Sequence, residues 1–557
     1  MDFFPEKLEN GGYRAIPPLG CMYLAGFIRE KFPQIEVKIY DQNVTVLNRL
    51  LDSFPNCNAD KEFENVREVI RDFKPDMVGI SVLFCSLQNI AHRILQTAKS
   101  ENPKCVTVVG GGYASALTEA ALRDKNLDFA VIGEGEPALA LLIDTLLKGS
   151  NSFESIPSLG FKKDNIPQVS KACSTNPFIP ENIDEYPFPA RDLLPDHRMY
   201  TRAGRMNMGN IELPGVVMNI FTSRGCPAKC FFCGVPEQWG KKIRLRSAEN
   251  VLREVRMLKD QYGIDSIVFT DSNITANRQR AIDIFKGLIE MKVKWIVPEG
   301  ITAWNFSEEL VDVMVASGMQ SIYFGIESGN QEFISKIMHK PLRIDTLWKS
   351  IENVRRYKEV YIGGFFIFGM PYETKSLMGD TQKLAQDLAL DWNEFAVALP
   401  YPGTLMYTMA VKEKFLDLEY QEKLLNDFNY HFLPINTPEF DNAFAQDFSN
   451  TANLGINFLN NPNIKRKPQV ALKDFKNVAS KYPFHSISLY SQHLVYKELG
   501  EDFNAKSALN KAWEVLKTPD GAFYKTYYDK FGIETPEIDM NHGRSAKYYV
   551  NSSNNKF

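Results

Sequence analysis

Three cysteines stand at a spacing that can do chemistry. They fall in Ser223-Arg-Gly-Cys226-Pro-Ala-Lys-Cys230-Phe-Phe-Cys233, a C-x3-C-x2-C run. Thiolates are soft ligands and suit iron–sulfur centres or zinc. Structural zinc sites take four ligands, usually from C-x2-C pairs, and no fourth Cys or His is close in sequence here. A loop this short can wrap three corners of a cubane and leave one iron open, which is useful only where something must bind there. The remaining cysteines, at 21, 57, 85, 105 and 173, are scattered. No basic stretch followed by an apolar run opens the chain, so the expected compartment is the cytoplasm. Thiols stay reduced there, and a tight group reads as metal-binding rather than as disulfides.

Two further sets of residues fall at predicted strand ends. One is Asp271-Ser-Asn, Phe324-Gly-Ile-Glu327-Ser328-Gly329, Gly369-Met-Pro-Tyr-Glu-Thr374 and Pro400-Tyr-Pro-Gly-Thr404. The other is Asp41-Gln-Asn43-Val-Thr-Val46, Ser81-Val-Leu83 and Gly110-Gly111-Gly112. Small residues at strand ends let a backbone approach a bulky ligand, and open α/β sheets bind ligands there. The seven histidines lie elsewhere, and none reads as catalytic.

These residues need elements to hold them. In 1–150, Val/Ile-rich runs at Ile35–Tyr40, Met77–Leu83, Val106–Val109 and Phe129–Ile132 alternate with helical stretches at Leu19–Glu30, Glu62–Phe73, Ile90–Glu101 and Leu117–Lys125. That alternation predicts a parallel, doubly wound sheet. Met1–Phe4 is the only candidate for a first inner strand, which therefore reads as clipped. Residues 151–215 are rich in Pro, Asn and Asp and read as a linker. In 216–405, six runs (Val216–Thr222, Ser266–Thr270, Lys294–Val297, Ser321–Ile326, Gly363–Phe368 and Glu394–Leu399) again alternate with helices, as in a partial (β/α)6 barrel with its chemistry at the strand C-termini. Residues 411–557 read as a mostly helical region, with a helix hairpin over 486–517. The fold class is thus α/β with a helical C-terminal region.

The 557 residues are 44% apolar and 24% charged, which excludes a disordered chain, a collagen or a coiled-coil rod. With 64 Lys plus Arg against 68 Asp plus Glu, the net charge is −4 and offers no basic excess for nucleic acid. No apolar run approaches the ~18–20 residues of a membrane span.

The cysteine loop after the first barrel strand resembles the radical S-adenosylmethionine (SAM) superfamily. That resemblance implies a [4Fe–4S] cluster on Cys226, Cys230 and Cys233, with SAM on the fourth iron and reductive cleavage to a 5′-deoxyadenosyl radical. It also implies SAM contacts at Asp271 for the amino end, at Glu327 for the ribose and at Ser328 beside it, with Pro400–Thr404 near the adenine. The family's Asp-Asp pair is Asp271-Ser272 here, so only the first acid carries over. The N-terminal set resembles D-x-H-x-x-G, S-x-L and G-G of cobalamin-binding Rossmann-like domains, with Asn43 at the His position and Val46 at the Gly position. Asn43, Ser81, Leu83, Gly110, Gly111 and Gly112 are then the cobalamin-binding candidates. Pro17–Gly20, Gly133-Glu-Gly-Glu136 and Tyr186–Leu194 also look like the cobalamin-dependent branch, so the resemblance runs from about residue 5 to 410. With Asn43 in place of the His, the resemblance implies a cobalt without an imidazole ligand.

The expected activity is C-methylation of an unactivated carbon in a small-molecule substrate, with an electron donor such as flavodoxin or ferredoxin. A cyclisation or ring rearrangement by the same apparatus is the nearest alternative. A methylthiotransferase is a weaker one, because Cys21, Cys57 and Cys85 are loosely spaced and no small RNA-binding barrel follows. A non-catalytic corrinoid sensor has no use for an open iron. The C-terminal region is expected to shape the substrate pocket and close the open side of the barrel.

Overall fold

The computed structural model describes residues 15–53, 59–170, 182–203, 207–208, 211–240, 242–427 and 433–537. β-branched runs in the first part pair as parallel strands: β1 (Met77–Ser81), β2 (Val106–Gly110) and β3 (Phe129–Val131), in that order. Parallel neighbours need crossovers. Of the helices α1 (Leu19–Lys31), α2 (Gln42–Ser53), α3 (Ala59–Phe73), α4 (Gln88–Glu101) and α5 (Gly135–Leu147), α4 carries the β1-to-β2 crossover. Val66, Ile70, Ala98 and Val78 form the contact between α3, α4 and β1.

Two expectations change here. Ile35–Tyr40 is not a strand; it pairs with no strand among the described residues. Asp41 then starts α2, because its carboxylate accepts the N–H groups of Asn43 and Val44 at 3.0 and 3.3 Å, a local cap that competes with extension. The expected helix at Leu117–Lys125 is observed as the shorter Thr118–Leu122, and a separate short helix, Gly112–Ala116, precedes it. Met1–Phe4 lies outside the described residues. The stretch read as a linker also contributes an antiparallel hairpin, β4 (Leu159–Lys163) and β5 (Ile166–Val169), which extends the sheet from β3. Asp164 and Asn165 turn it with φ of +51° and +63°, values these two residue types tolerate.

Among the described residues, the main strands of the second unit are β6 (Val217–Ile220), β7 (Ser266–Phe269), β8 (Lys294–Ile296), β9 (Ser321–Glu327), β10 (Tyr361–Phe368) and β11 (Trp392–Val397). They form two parallel sheets, β8-β7-β6 and β9-β10-β11, with single bridges between them at Trp295–Met319 and Ile301–Phe324. The result is an open arc; among the described residues no closed barrel forms. Its helices are α6 (Ala248–Tyr262), α7 (Arg278–Ile289), α8 (Glu308–Ala316), α9 (Ile344–Arg355) and α10 (Lys375–Leu388). Ser247, Asn277, Ser307 and Thr374 cap α6, α7, α8 and α10, each side-chain oxygen accepting the N–H three residues on. Phe285 stacks on Trp295 at 4.6 Å where α7 packs on β8.

The C-terminal helices are α11 (Leu405–Lys412), α12 (Leu418–Asn426), α13 (Asn442–Asn453), α14 (Pro468–Lys481), α15 (Ser486–Glu498), α16 (Asp502–Leu516) and α17 (Lys525–Lys530). α15 and α16 are the expected hairpin. α13 runs along the edge strand β11, and Phe448 meets Phe368 edge-on at 5.1 Å. Edge strands leave backbone groups open to unwanted pairing. Here the Asn457 amide accepts from Asn393 N at 2.9 Å and donates to Asn393 O at 2.6 Å, which occupies that edge. Tyr323, Tyr361 and Trp392 of the arc share one core with Phe458, Phe475 and Tyr528.

Candidate functional site

The cysteine loop begins where β6 ends, and Asp271 at the end of β7 holds its root. The Asp271 carboxylate accepts Thr222 N at 3.0 and 3.1 Å, Thr222 Oγ1 at 2.7 Å and Ser223 Oγ at 2.5 Å. It is buried, and burial pushes its carboxyl up despite those donors. Ser223 and Arg224 pair antiparallel with Leu245 and Arg244. Gly225 follows at φ +87°, where a Cβ would stand 2.8 Å from Lys242 O. Phe231 is buried and fixes the far side: its N–H donates to Met338 O at 3.0 Å, and its carbonyl accepts from Met406 N at 2.8 Å. Cys226, Cys230 and Cys233 are free and half-buried between these anchors. Burial raises all three thiols, Cys230 to about 11, and the ammonium of Lys340 opposes the rise. The side chain of Asn273 bonds to Cys226. Among the described residues no three Cys, His, Asp or Glu side chains gather closely enough to hold a single metal ion. A cubane asks for something else, with each thiolate on its own iron.

Across the arc, β9 ends in a bulge. The register slips between Gly325 and Glu327, and Glu327 takes φ +68°. Its carboxylate accepts from Lys340 Nζ at 3.2 Å, with both side chains buried. Burial raises the Glu327 carboxyl, with Lys340 pulling the other way. Lys340 also lies within electrostatic reach of Cys230 and Cys233, so it joins the cysteine loop to the end of β9. Sequence reasoning missed Lys340, because it follows the π-helical turn Phe333–Ile337 and no regular spacing ties it to Glu327. Ser328 is buried against α10, near Thr381 Oγ1 at 3.4 Å. At the end of β10, Glu373 accepts Gly369 N at 2.7 Å and Met370 N at 3.0 Å, and burial raises it to about 8.

The glycine set comes together in the N-terminal sheet. Val82 N–H donates to Gly110 O at 2.9 Å, so Ser81–Leu83 and Gly110–Gly112 lie side by side. A Cβ at Gly111 would stand 2.6 Å from Val82 O, and one at Gly112 would stand 2.4 Å from Leu83 O, while one at Gly110 would meet nothing within 4 Å. Leu83 and Phe84 beside them are 58% and 52% exposed, unusual for large apolar side chains at a strand end. Tyr401 of Pro400–Thr404 lies within electrostatic reach of Cys85, which links this ledge to the arc. Tyr113, next to Gly112, bonds His92 Nε2 at 2.8 Å, and His92 Nδ1 meets Asp124 at 2.6 Å. This buried chain of side chains steadies the glycine loop and was not anticipated. Asn43 stands in the first turn of α2 with its side chain exposed.

A thiol triad on an open six-strand arc, beside a glycine ledge on a second parallel sheet, defines a class. Residues 220–385 match the Radical SAM superfamily, and residues 13–143 match the B12 binding domain. An uncharacterised methyltransferase from Pyrococcus horikoshii is 32% identical over 409 residues, covering 72% of this chain and 80% of that protein. The chain belongs to the family of cobalamin-dependent radical SAM enzymes. It is also similar to the cytidylyl-2-hydroxyethylphosphonate methyltransferase of Streptomyces wedmorensis, at 28% identity over 443 residues, 73% of this chain and 80% of that one. Among solved structures, the radical SAM methyltransferase TsrM from Kitasatospora setae, with cobalamin and a [4Fe–4S] cluster bound, has the same fold with a TM-score of 0.63 at 15% identity, covering 87% of this chain and 97% of that chain.

Proposed function

We propose that the chain is a cobalamin-dependent radical SAM C-methyltransferase acting on an unactivated carbon of a small molecule. The observation that carries this is the pairing, in one chain, of the anchored thiol loop with the glycine ledge. The methyltransferase names of the Pyrococcus and Streptomyces relatives support it. The division we propose is a corrinoid unit at 1–150, a connection at 151–215 whose hairpin joins that unit's sheet, an arc at 216–410, and a substrate-associated region at 411–557.

The residues fit the groups the family uses. Three free, soft thiols from one rigid loop suit a [4Fe–4S] cluster on Cys226, Cys230 and Cys233. Glu327 and Ser328, with Lys340 behind Glu327, would hold SAM. Asp271 would act through the root of the cluster loop, since its oxygens are engaged there. The open space beside Gly110 and the exposed Leu83 suit the broad, partly apolar face of a cobalamin. Ser81, Gly111 and Gly112 would line the same ledge, with Asn43 at its edge. When bound, the cluster and SAM supply hydrogen abstraction and the corrinoid supplies a methyl group. The chain's own work is placement and the exclusion of water, for which the arc, the ledge and α13 would form the walls.

The thiols must stay reduced, which fits the cytoplasm and a one-electron donor such as flavodoxin or ferredoxin. Among the described residues no helix is long and apolar enough to cross a membrane. The test is anaerobic incubation of the reconstituted protein with SAM, cobalamin, reductant and candidate small molecules. A product heavier by one methylene equivalent is expected. A product formed without added carbon would assign cyclisation or rearrangement instead.

A further inference from the structure

A buried set of charges joins the two units beside the cysteine loop. Gly133-Glu134-Gly135-Glu136 follows β3, and Glu134 immediately precedes α5. Arg224 stands two residues before Cys226. Its Nη1 donates to Glu134 Oε2 at 2.7 Å, and its Nη2 donates to Glu136 Oε1 at 2.6 Å. Arg244, opposite Arg224 in the short ribbon, donates to Glu134 Oε2 at 3.2 Å and also pairs with the other Glu134 oxygen. All four side chains are buried. The Arg224 guanidinium further lies 4.6 Å from the Tyr186 ring, 5.0 Å from Tyr23 and 5.3 Å from Trp239.

Four buried charges are a poor source of stability, because desolvation cancels much of their attraction. They are a good source of register. A planar guanidinium fork meets two carboxylates in a narrow range of geometries, and an ammonium cannot reproduce it. The constraint also continues at both ends. On one side Gly225, at φ +87° and without space for a Cβ beside Lys242 O, leads directly into Cys226. On the other, Gly133 N donates to Ser115 Oγ at 2.8 Å, and Ser115 Oγ donates to Gly111 O at 3.0 Å. A short chain of bonds therefore runs from Cys226 through Arg224, Glu134, Gly133 and Ser115 to the glycine ledge.

We infer that Arg224, held by Glu134 and Glu136, is a positioning residue that sets the distance and orientation between the cluster loop and the corrinoid ledge. The inference rests on the cofactor assignment under Proposed function. Alignment is where such an enzyme is sensitive, since a misplacement of about 1 Å can cost roughly a hundredfold in rate.

The test compares the full chain with Arg224→Lys and Glu136→Gln, each reconstituted with iron, sulfide and hydroxocobalamin. Cofactor contents report the two sites separately. Pulsed electron paramagnetic resonance between Co(II) and the reduced cluster reports their separation, and hydrogen exchange of the protein without cofactors reports the seam itself. Both variants should keep iron and cobalamin within about twofold of wild type, broaden the dipolar distribution, and exchange residues 133–136 and 222–226 more than about tenfold faster. Wild-type exchange and a wild-type distance in both variants would overturn the inference. So would loss of both cofactors from Arg224→Lys while Glu136→Gln behaves as wild type, which would make Arg224 a folding residue. If the wild type itself failed to take up either cofactor, the assignment beneath the inference would fall first, and the exchange data would still decide whether Arg224 locks the seam.

Discussion

At the scale of single residues, the cysteine loop is legible because its spacing is short and local. The three cysteines needed only the loop that carries them. What the sequence could not convey is which way a side chain turns. Asp271 ends β7 as expected, yet its oxygens are used on Thr222 and Ser223. An Asp271→Asn variant keeps one acceptor oxygen and loses the other inside a buried site. It should lose about 1–3 kcal/mol in denaturant unfolding and release iron faster than wild type. Unchanged stability with abolished SAM binding would instead make Asp271 a direct SAM ligand. Lys340 was invisible for the opposite reason, since its partners lie on other elements and only the fold brings them together.

At the scale of elements, strands and helices with a clear period were placed to within a few residues. α6 carries end signals legible in the sequence, a capping Ser247 and a Gly263 in the left-handed region (φ +62°). α5 was missed, since its Leu/Ala run is apolar on every side and shows no stripe. Ile35–Tyr40 was misread because a β-branched run without a partner is not yet a strand. Two predictions belong here. Gly110→Ala should leave the stability of the cofactor-free protein within about 1 kcal/mol and weaken cobalamin uptake, because its Cβ would enter the open space. Gly112→Ala should destabilise the protein itself, because its Cβ would strike Leu83 O. Thermal unfolding and cobalamin titration separate the two, and equal stability of both variants would contradict the account.

The turn after β10 gives a pH dependence. Folding raises the Glu373 carboxyl from 4.5, its ordinary value, to about 8. Between those values the folded chain binds more protons than the unfolded chain. This contribution is therefore fully present below about pH 4.5 and is lost as pH rises toward 8. Glu373→Gln cannot ionise, so its stability relative to wild type should increase over that window, by on the order of a few kcal/mol. Unfolding curves at pH 5 and pH 8 check this, and a constant difference between the two proteins would refute it.

At the scale of the whole molecule, alternation alone points to a parallel sheet, then a six-strand α/β unit, then a helical region. How they interlock is not legible there. The sequence leads one to expect a C-terminal region that closes the open side of the barrel; in the fold it also shares a core with Tyr323, Tyr361 and Trp392 and occupies the edge of β11. A chain ending at Lys412 should therefore be largely insoluble, as measured by soluble yield and size-exclusion chromatography. A soluble monomer with normal iron and cobalamin would show that the region is separable.

The central claim is that one chain joins a SAM-cleaving cluster to a corrinoid that accepts the SAM methyl group. It is tested most directly by anaerobic incubation of the reconstituted protein with SAM carrying a CD3 group, cobalamin and a low-potential reductant, followed by mass spectrometry. The account predicts 5′-deoxyadenosine, S-adenosylhomocysteine and cobalamin carrying CD3. In a Cys226→Ala variant the first should vanish, while cobalamin still binds. The account would be contradicted if the wild type, loaded with about four irons and one cobalamin, gave neither S-adenosylhomocysteine nor CD3-labelled cobalamin.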